Sequence, residues 1–163
     1  MAKNFAVLKL DGVEGESQLE GFDEHIDLDH YALSFTNASS AGSGSGQGVG
    51  AGMAHDIPCS GRMDTSSANL MQLVATGEKV IAEGSIKQYT GDAQNKVLMF
   101  ELNMKHIKLT SFHASFGSGQ ELCPVQFQLS PIEMRWSYKK QNEDGTQGAS
   151  YDGGFHRAKG IPL

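Results

Sequence analysis

The chain has 163 residues, a formal net charge of −6, 39% hydrophobic and 20% charged residues, which is an ordinary globular mixture about the size of one domain, able to bury roughly two-thirds of its unfolded surface around one core. No basic run is longer than Lys139-Lys140, which argues against nucleic acid as a partner. The two cysteines, Cys59 and Cys123, lie outside any CxxC pattern and read as reduced thiols in segments expected to be strands.

The start, MAKNFAVLKLDG, places Lys9 and Asp11 close behind a short apolar run. Neither a signal peptide nor a membrane anchor is expected, so the protein should begin in a cytoplasm and leave, if it does, by a route other than general secretion. Phe5 to Leu10 alternates as a short strand. Glu14 and Glu16 then flank Gly15, a pairing that could serve acid/base work on a sugar, but nothing here raises a carboxyl pKa or marks a cleft, and a turn is the preferred reading.

Residues 26–35 carry Ile26 and Leu28 on one parity and Tyr31, Leu33 and Phe35 on the other, so a bulge is expected near Asp29 and His30. The acids Asp23, Glu24, Asp27 and Asp29 around this segment read as a solvated strand edge that resists pairing in preference to a cation site.

From Gly42 to Gly52 every second residue is glycine. Fixing these six in regular structure would cost about 3–6 kcal/mol more than alanine, so the stretch is either a flexible linker or a segment ordered by contacts outside itself. Gly46 to Ala51 formally matches the GxGxxA dinucleotide fingerprint, but no helix follows Asp56-Ile57-Pro58 to face a pyrophosphate. Ser43 and Ser45 lack the nucleophile-elbow pattern and read as linker serines. His55 and Cys59, or His106 and His113, would need further ligands to make a zinc site. No catalytic, cofactor-binding or metal-binding residue is nominated.

One helix is expected next. Asp64, Thr65 or Ser66 can cap it, Leu70, Leu73 and Val74 form its stripe, widened by Met71, and Gly77 ends it. Alternation resumes at Val80, Ala82, Gly84 and Ile86. It continues through Val97 to His113, with a phase change near Lys105 and His106 that suggests another bulge, and through Val125 to Tyr138, shifted after Pro131. Long strands with such shifts suit barrels or strongly coiled sheets. Turns are expected at Glu143-Asp144-Gly145 and at Asp152-Gly153-Gly154, before a short segment containing Phe155.

The order Leu8-Lys9-Leu10-Asp11-Gly12-Val13-Glu14-Gly15-Glu16-Ser17, a glycine-rich loop, Met63-Asp64 leading to a helix that ends Ala75-Thr76-Gly77, then Gly117-Ser118-Gly119, Tyr138, Glu143-Asp144-Gly145 and Gly154-Phe155 resembles the haemolysin-coregulated protein (Hcp) family of type VI secretion. The Gly15-Glu16-Ser17 turn is the most specific element. Departures occur at Tyr31-Ala32-Leu33-Ser34, where relatives carry a Trp-Ser-Trp-Gly-like run, at Glu121-Leu122-Cys123-Pro124, where they carry Asp-Arg-Pro, and at Gly154-Phe155, where they carry Gly-Trp.

The resemblance spans 1–163 as a single domain and implies a mainly β fold: a barrel of two packed antiparallel sheets with one short flanking α-helix and an extended loop at about 38–54. It further implies a homo-hexameric ring, stacked rings forming a tube inside a contractile sheath, a VgrG-type spike at the tip, and expulsion with secreted effectors as cargo, with no enzymatic activity and no membrane insertion. Gly42, Gly44, Gly46, Gly48, Val49, Gly50, Gly52 and Met53 are the expected subunit- and ring-contacting loop, ordered by neighbouring copies. Two rival readings remain open: a small secreted hydrolase or carbohydrate-active enzyme, and a monomeric binding module.

Overall fold

Strands form in each of the period-two segments, and six of them close on themselves. The computed structural model of the chain describes residues 3–37, 52–92 and 94–163. In chain order the elements are β1 (Lys3–Leu10), β2 (Ile26–Tyr31), β3 (Phe35–Asn37), β4 (Gly52–Ala54), β5 (Ile57–Arg62), α1 (Thr65–Thr76), β6 (Ile81–Gly91), β7 (Val97–Ala114), β8 (Pro124–Gln141), β9 (Gln147–His156) and β10 (Ile161–Pro162). Strands β8, β5, β2, β1, β6 and β7 pair antiparallel in that order, and β7 pairs back onto β8, so six strands form a closed barrel. β9 and β10 extend the sheet from β8 outside the closure, and β3 and β4 form a separate hairpin.

The barrel interior is filled by the inward parity of every strand, including Leu8, Ile26, Ile57, Ile86, Leu102 and Phe127, and the helix adds Leu70 and Leu73. The helix is delimited as the sequence predicts: Asp64 is the N-cap, its side chain and that of Ser67 form a reciprocal capping box, and Gly77 closes the C-terminus at φ 64°. Six of the twelve residues, Thr65, Ser66, Ser67, Asn69, Val74 and Thr76, are weak helix formers, so the caps and the buried stripe carry much of its stability.

The first expected bulge is present. Between Leu28 and His30 the register against β5 shifts, with Asp29 as the extra residue. The second takes a different form. Lys105 and Ile107 keep one register against both β6 and β8, and the phase of burial changes because His106 adopts φ 54°, a left-handed kink without an inserted residue. The inserted residues of β7 lie elsewhere, at the shifts between Leu98 and Phe100 and between Leu109 and Ser111.

Other expectations need correction. Val80 precedes β6 and is exposed, while Ile81 is the buried residue. Residues 26–35 make two elements, β2 and the start of β3. Cys123 sits in the loop just before β8. Asp152-Gly153-Gly154 is the interior of β9. Its glycines are there for space: a Cβ on Gly153 would lie 2.5 Å from Trp136 Nε1, and one on Gly154 would lie 3.0 Å from the Met134 carbonyl oxygen, so the strand fits closely beneath its neighbour's side chains.

Pro131 is tolerated in the middle of β8 because the neighbours change there. β5 pairs as far as Leu129, and β9 begins at Glu133, so no ladder amide is demanded on that side.

Candidate functional site

The Gly15-Glu16-Ser17 turn is built as a clasp between the β1–β2 connection and the helix. Gly15 N–H donates to the Glu24 carbonyl at 2.9 Å and Ser17 N–H to that of His25 at 3.0 Å. A Cβ on Gly15 would stand 2.3 Å from the His25 carbonyl oxygen, which leaves no residue but glycine for that approach. Glu16 N–H donates to the Asp64 carboxylate at 3.4 Å, and Thr65 Oγ1 donates to the Glu14 carbonyl at 3.0 Å. Asn69 Nδ2 reaches the Gly12 carbonyl at 3.1 Å. The motif thus holds the first turns of α1, and the side chains of Glu14 and Glu16 are left exposed.

Of the expected contact loop, Gly42, Gly44, Gly46, Gly48, Val49 and Gly50 lie outside the described residues. Gly52 and Met53 are in β4, which pairs Phe35↔Ala54, Thr36↔Met53 and Asn37↔Gly52. Met53 is 58% exposed. The hairpin lies against the β8–β9 layer: Phe35 meets the Trp136 ring at 5.2 Å edge to face, and the Gly52 Cβ position is 3.8 Å from Phe155. Sequence reading missed this hairpin because each arm has three residues, too short for a periodic signal.

β9 is held on one side by β8 and, on the other, by β10 at Phe155 and His156 and by the Leu163 N–H, which donates to the Gly154 carbonyl at 3.0 Å. Side chains complete the attachment. Arg157 donates to Asp56 at 3.1 Å, to Ser130 at 2.8 Å and to the Pro131 carbonyl at 3.3 Å, and Thr110 donates to the other Asp56 oxygen at 3.0 Å. Burial works against the Asp56 charge, but the hydrogen bonds from Ser130, Thr110 and Arg157 and the guanidinium charge outweigh it and hold the carboxyl below its ordinary range.

The residues weighed for catalysis or metal binding are not brought together. His55 is exposed and bonded to Thr36 at 2.8 Å, while Cys59 is buried with its thiol pushed up to about 12 by desolvation, the opposite of an activated nucleophile. His106 and His113 are both exposed. Among the described residues no group of three or more His, Cys, Asp or Glu could hold a metal ion, and no helix is long and apolar enough to cross a membrane.

Residues 7–138 match the family described as "Type VI secretion system effector, Hcp". The chain belongs to the Hcp family. Membership implies a tube protein of type VI secretion. No curated protein sequence matches the chain. Among solved structures, one titled as a type six secretion system protein is 20% identical, covering 99% of this chain and 100% of its own, with a TM-score of 0.91. Hcp1 from Salmonella typhimurium is 18% identical with both chains fully covered and a TM-score of 0.79. A type VI secretion system effector from Yersinia pestis is 14% identical, covering 93% of this chain and 98% of its own, with a TM-score of 0.74. At such identities the likeness establishes the Hcp fold. In this Hcp chain the Gly15-Glu16-Ser17 element holds the start of the helix against the β1–β2 connection.

Proposed function

We propose that this Hcp chain is the inner-tube subunit of a type VI secretion apparatus, without enzymatic activity of its own. Six copies form a ring, rings stack inside a contractile sheath behind a VgrG-type spike, and the tube is expelled from the cytoplasm with effectors in its lumen. The observation that carries this reading, together with family membership, is the outer edge of β9. From Gln147 to Gly153 its outer backbone groups have no strand partner among the described residues, and Tyr151 beside them is 60% exposed. An open strand edge flanked by an aromatic favours pairing with another chain.

The glycine arm fits the same reading. Asn37 and Gly52 are register partners, so the arm leaves and rejoins the fold at one place, and its length can change with little cost in loop closure. We assign it to contact with a neighbouring subunit or ring.

Native mass spectrometry tests the assembly. A hexamer is expected, and a monodisperse monomer at high concentration would overturn the tube reading. Shortening the stretch from Gly42 to Gly52 should leave melting unchanged and reduce export. Reproducible turnover of a peptide, ester or glycan, abolished by one substitution, would replace this reading with the hydrolase.

A further inference from the structure

The barrel wall opens where β1 and β2 part. Their register partners are Ala6↔Leu28, Val7↔Asp27 and Leu8↔Ile26, and none follows beyond Leu28. β1 stays with β6, pairing Asn4 with Thr90 and Lys3 with Gly91, whereas β2, turned by the inserted Asp29, follows β5 through His30↔Ser60 and Tyr31↔Cys59. Lys3 and Asn4 on one lip, and His30 and Tyr31 on the other, thus each have a strand partner on one side alone among the described residues. Two strand edges that face a gap offer backbone donors and acceptors to an added strand.

Between the lips lies a cleft of about 220 Å³. A cavity of about 150 Å³ holds a benzene ring, so this one has room for one long side chain. Ala6 and Leu28 give it apolar walls, and the Tyr31 hydroxyl crosses it to donate to Gln88 Oε1 at 2.6 Å. With its hydrogen committed to Gln88, the Tyr31 oxygen is left to accept. Asn4 and Asp29 also line the cleft, and their side chains make no hydrogen bond or ion pair among the described residues. No lysine or arginine lines it, and exposed Asp27 on the same strand adds to the negative field. Oxygen acceptors, an unpaired carboxylate and apolar walls together suit a guanidinium on an aliphatic stem.

We infer that this cleft docks an extended peptide segment of a partner protein, which adds as a strand at the β1–β2 lips and inserts an arginine toward Asp29 and Tyr31. Main-chain pairing supplies affinity, and the arginine supplies selectivity. The site goes beyond the tube reading and does not rest on it, since every group involved belongs to one barrel. Tyr31 opens the stretch Tyr31-Ala32-Leu33-Ser34, in which the chain departs from its relatives, and it provides both a lip and the bridge across the cleft.

The test is calorimetric titration of the full chain, in its native assembly, with the peptide acetyl-Thr-Val-Arg-Val-Thr-amide. Saturable binding is expected. Glutamine in place of the arginine, or Asp29→Asn in the protein, should weaken it by about tenfold or more, as loss of a hydrogen bond between charged groups does. Tyr31→Phe should weaken it less. Proline in place of both valines keeps the charge but cannot join a ladder, and should weaken binding several-fold. Glu121→Gln, in the connection before β8, should leave it unchanged. The inference is overturned if the wild-type chain shows no saturable binding, or if the glutamine or proline peptide binds as well as the parent. Equal weakening by Glu121→Gln would reduce the effect to net charge and overturn it too. Acetyl-arginine-amide binding as tightly as the peptide would make the cleft a small-molecule site, and dissociation of the native assembly by Asp29→Asn alone would give it to a neighbouring copy; either result overturns the inference. Should Asp29→Asn fail to fold, the peptide comparisons on the wild-type chain decide. Native mass spectrometry of the same samples reports on the ring separately: a monomer that binds the peptide with this selectivity sinks the tube and keeps the docking site.

Discussion

β6 and β9 differ in what holds them. β6 pairs with β1 from Gly84 to Gly91 on one side and with β7 from Ile81 to Thr90 on the other; β9 pairs with β8 along its length and otherwise relies on Trp136, Arg157 and the two-residue strand β10. In the closed barrel, backbone bonds and a continuous core are shared by all strands, so damage at one position is felt everywhere. In the β9–β10 flap a few side chains stand in for the missing neighbour, and opening there need not unfold the barrel. A chain built this way keeps a closed wall and an adaptable edge.

The largest expected break in the comparison comes from the core. Phe127 is fully buried between Cys59 of β5 and Phe112 of β7, so Phe127→Ala should cost about 3–5 kcal/mol. Urea unfolding followed by circular dichroism should show one transition at a lower midpoint with the slope retained. A separate early phase confined to β9 would show that the barrel and the flap are less distinct than argued.

Gly15→Val should come next, at about 1–3 kcal/mol or somewhat more. The clash is with the His25 carbonyl oxygen and carbon, 2.3 and 2.6 Å from the new Cβ, and backbone cannot rotate away as a side chain can. The variant should also lose amide protection in the first turn of α1, whose Asp64 and Thr65 contact Glu16 and Glu14. Unchanged protection there would mean that the clasp does not hold the helix.

Gly153→Val sharpens the comparison by acting on the flap alone. Its Cβ would meet Trp136 at 2.5 Å, displacing the indole and its edge contact with Phe35, which is worth about 0.5–1.5 kcal/mol. Hydrogen exchange should quicken in β9 and in the β3–β4 hairpin while β1 and β6 stay as protected as before. Equal acceleration in β6 would place β9 in the same cooperative unit.

The barrel was legible because its strands bury one parity: Leu102 and Met104, then Ile107 and Leu109, state the alternation and its phase change directly. The helix was legible because its caps, Asp64 and Gly77, are local chemistry. What stayed hidden depends on partners distant in sequence. Asp152-Gly153-Gly154 reads as a turn until Trp136 is seen lying over Gly153, and nothing local distinguishes a kink at His106 from an inserted residue. In the candidate site, Gly15 and Ser17 were marked by resemblance, but their partners His25 and Asp64 are brought to them only by folding. Arg157 and Asp56 are 101 residues apart, beyond any periodic signal. Of the eight residues expected in the contact loop, the structure describes Gly52 and Met53.

The smallest expected effect tests whether the Arg157–Asp56 contact latches the flap. Because the Asp56 carboxyl is held below its ordinary range in the fold, its ionised form is favoured by folding. The stabilisation is complete above the unfolded carboxyl pKa of about 3.9 and is lost as pH falls through the lower folded value. The pair keeps about a quarter of each side chain accessible, so solvent screens it and the effect is modest. Trp136, the only tryptophan, reports on the flap from β8. In acid its fluorescence should change before the far-ultraviolet signal of the barrel does. Asp56→Asn removes the titrating group while keeping a hydrogen-bonding side chain, so the early fluorescence step should disappear from the titration and β9 should exchange somewhat faster at neutral pH. If the acid step persists in Asp56→Asn, another group governs it, and the flap is held by Trp136 and Gly153 packing without an ionic latch.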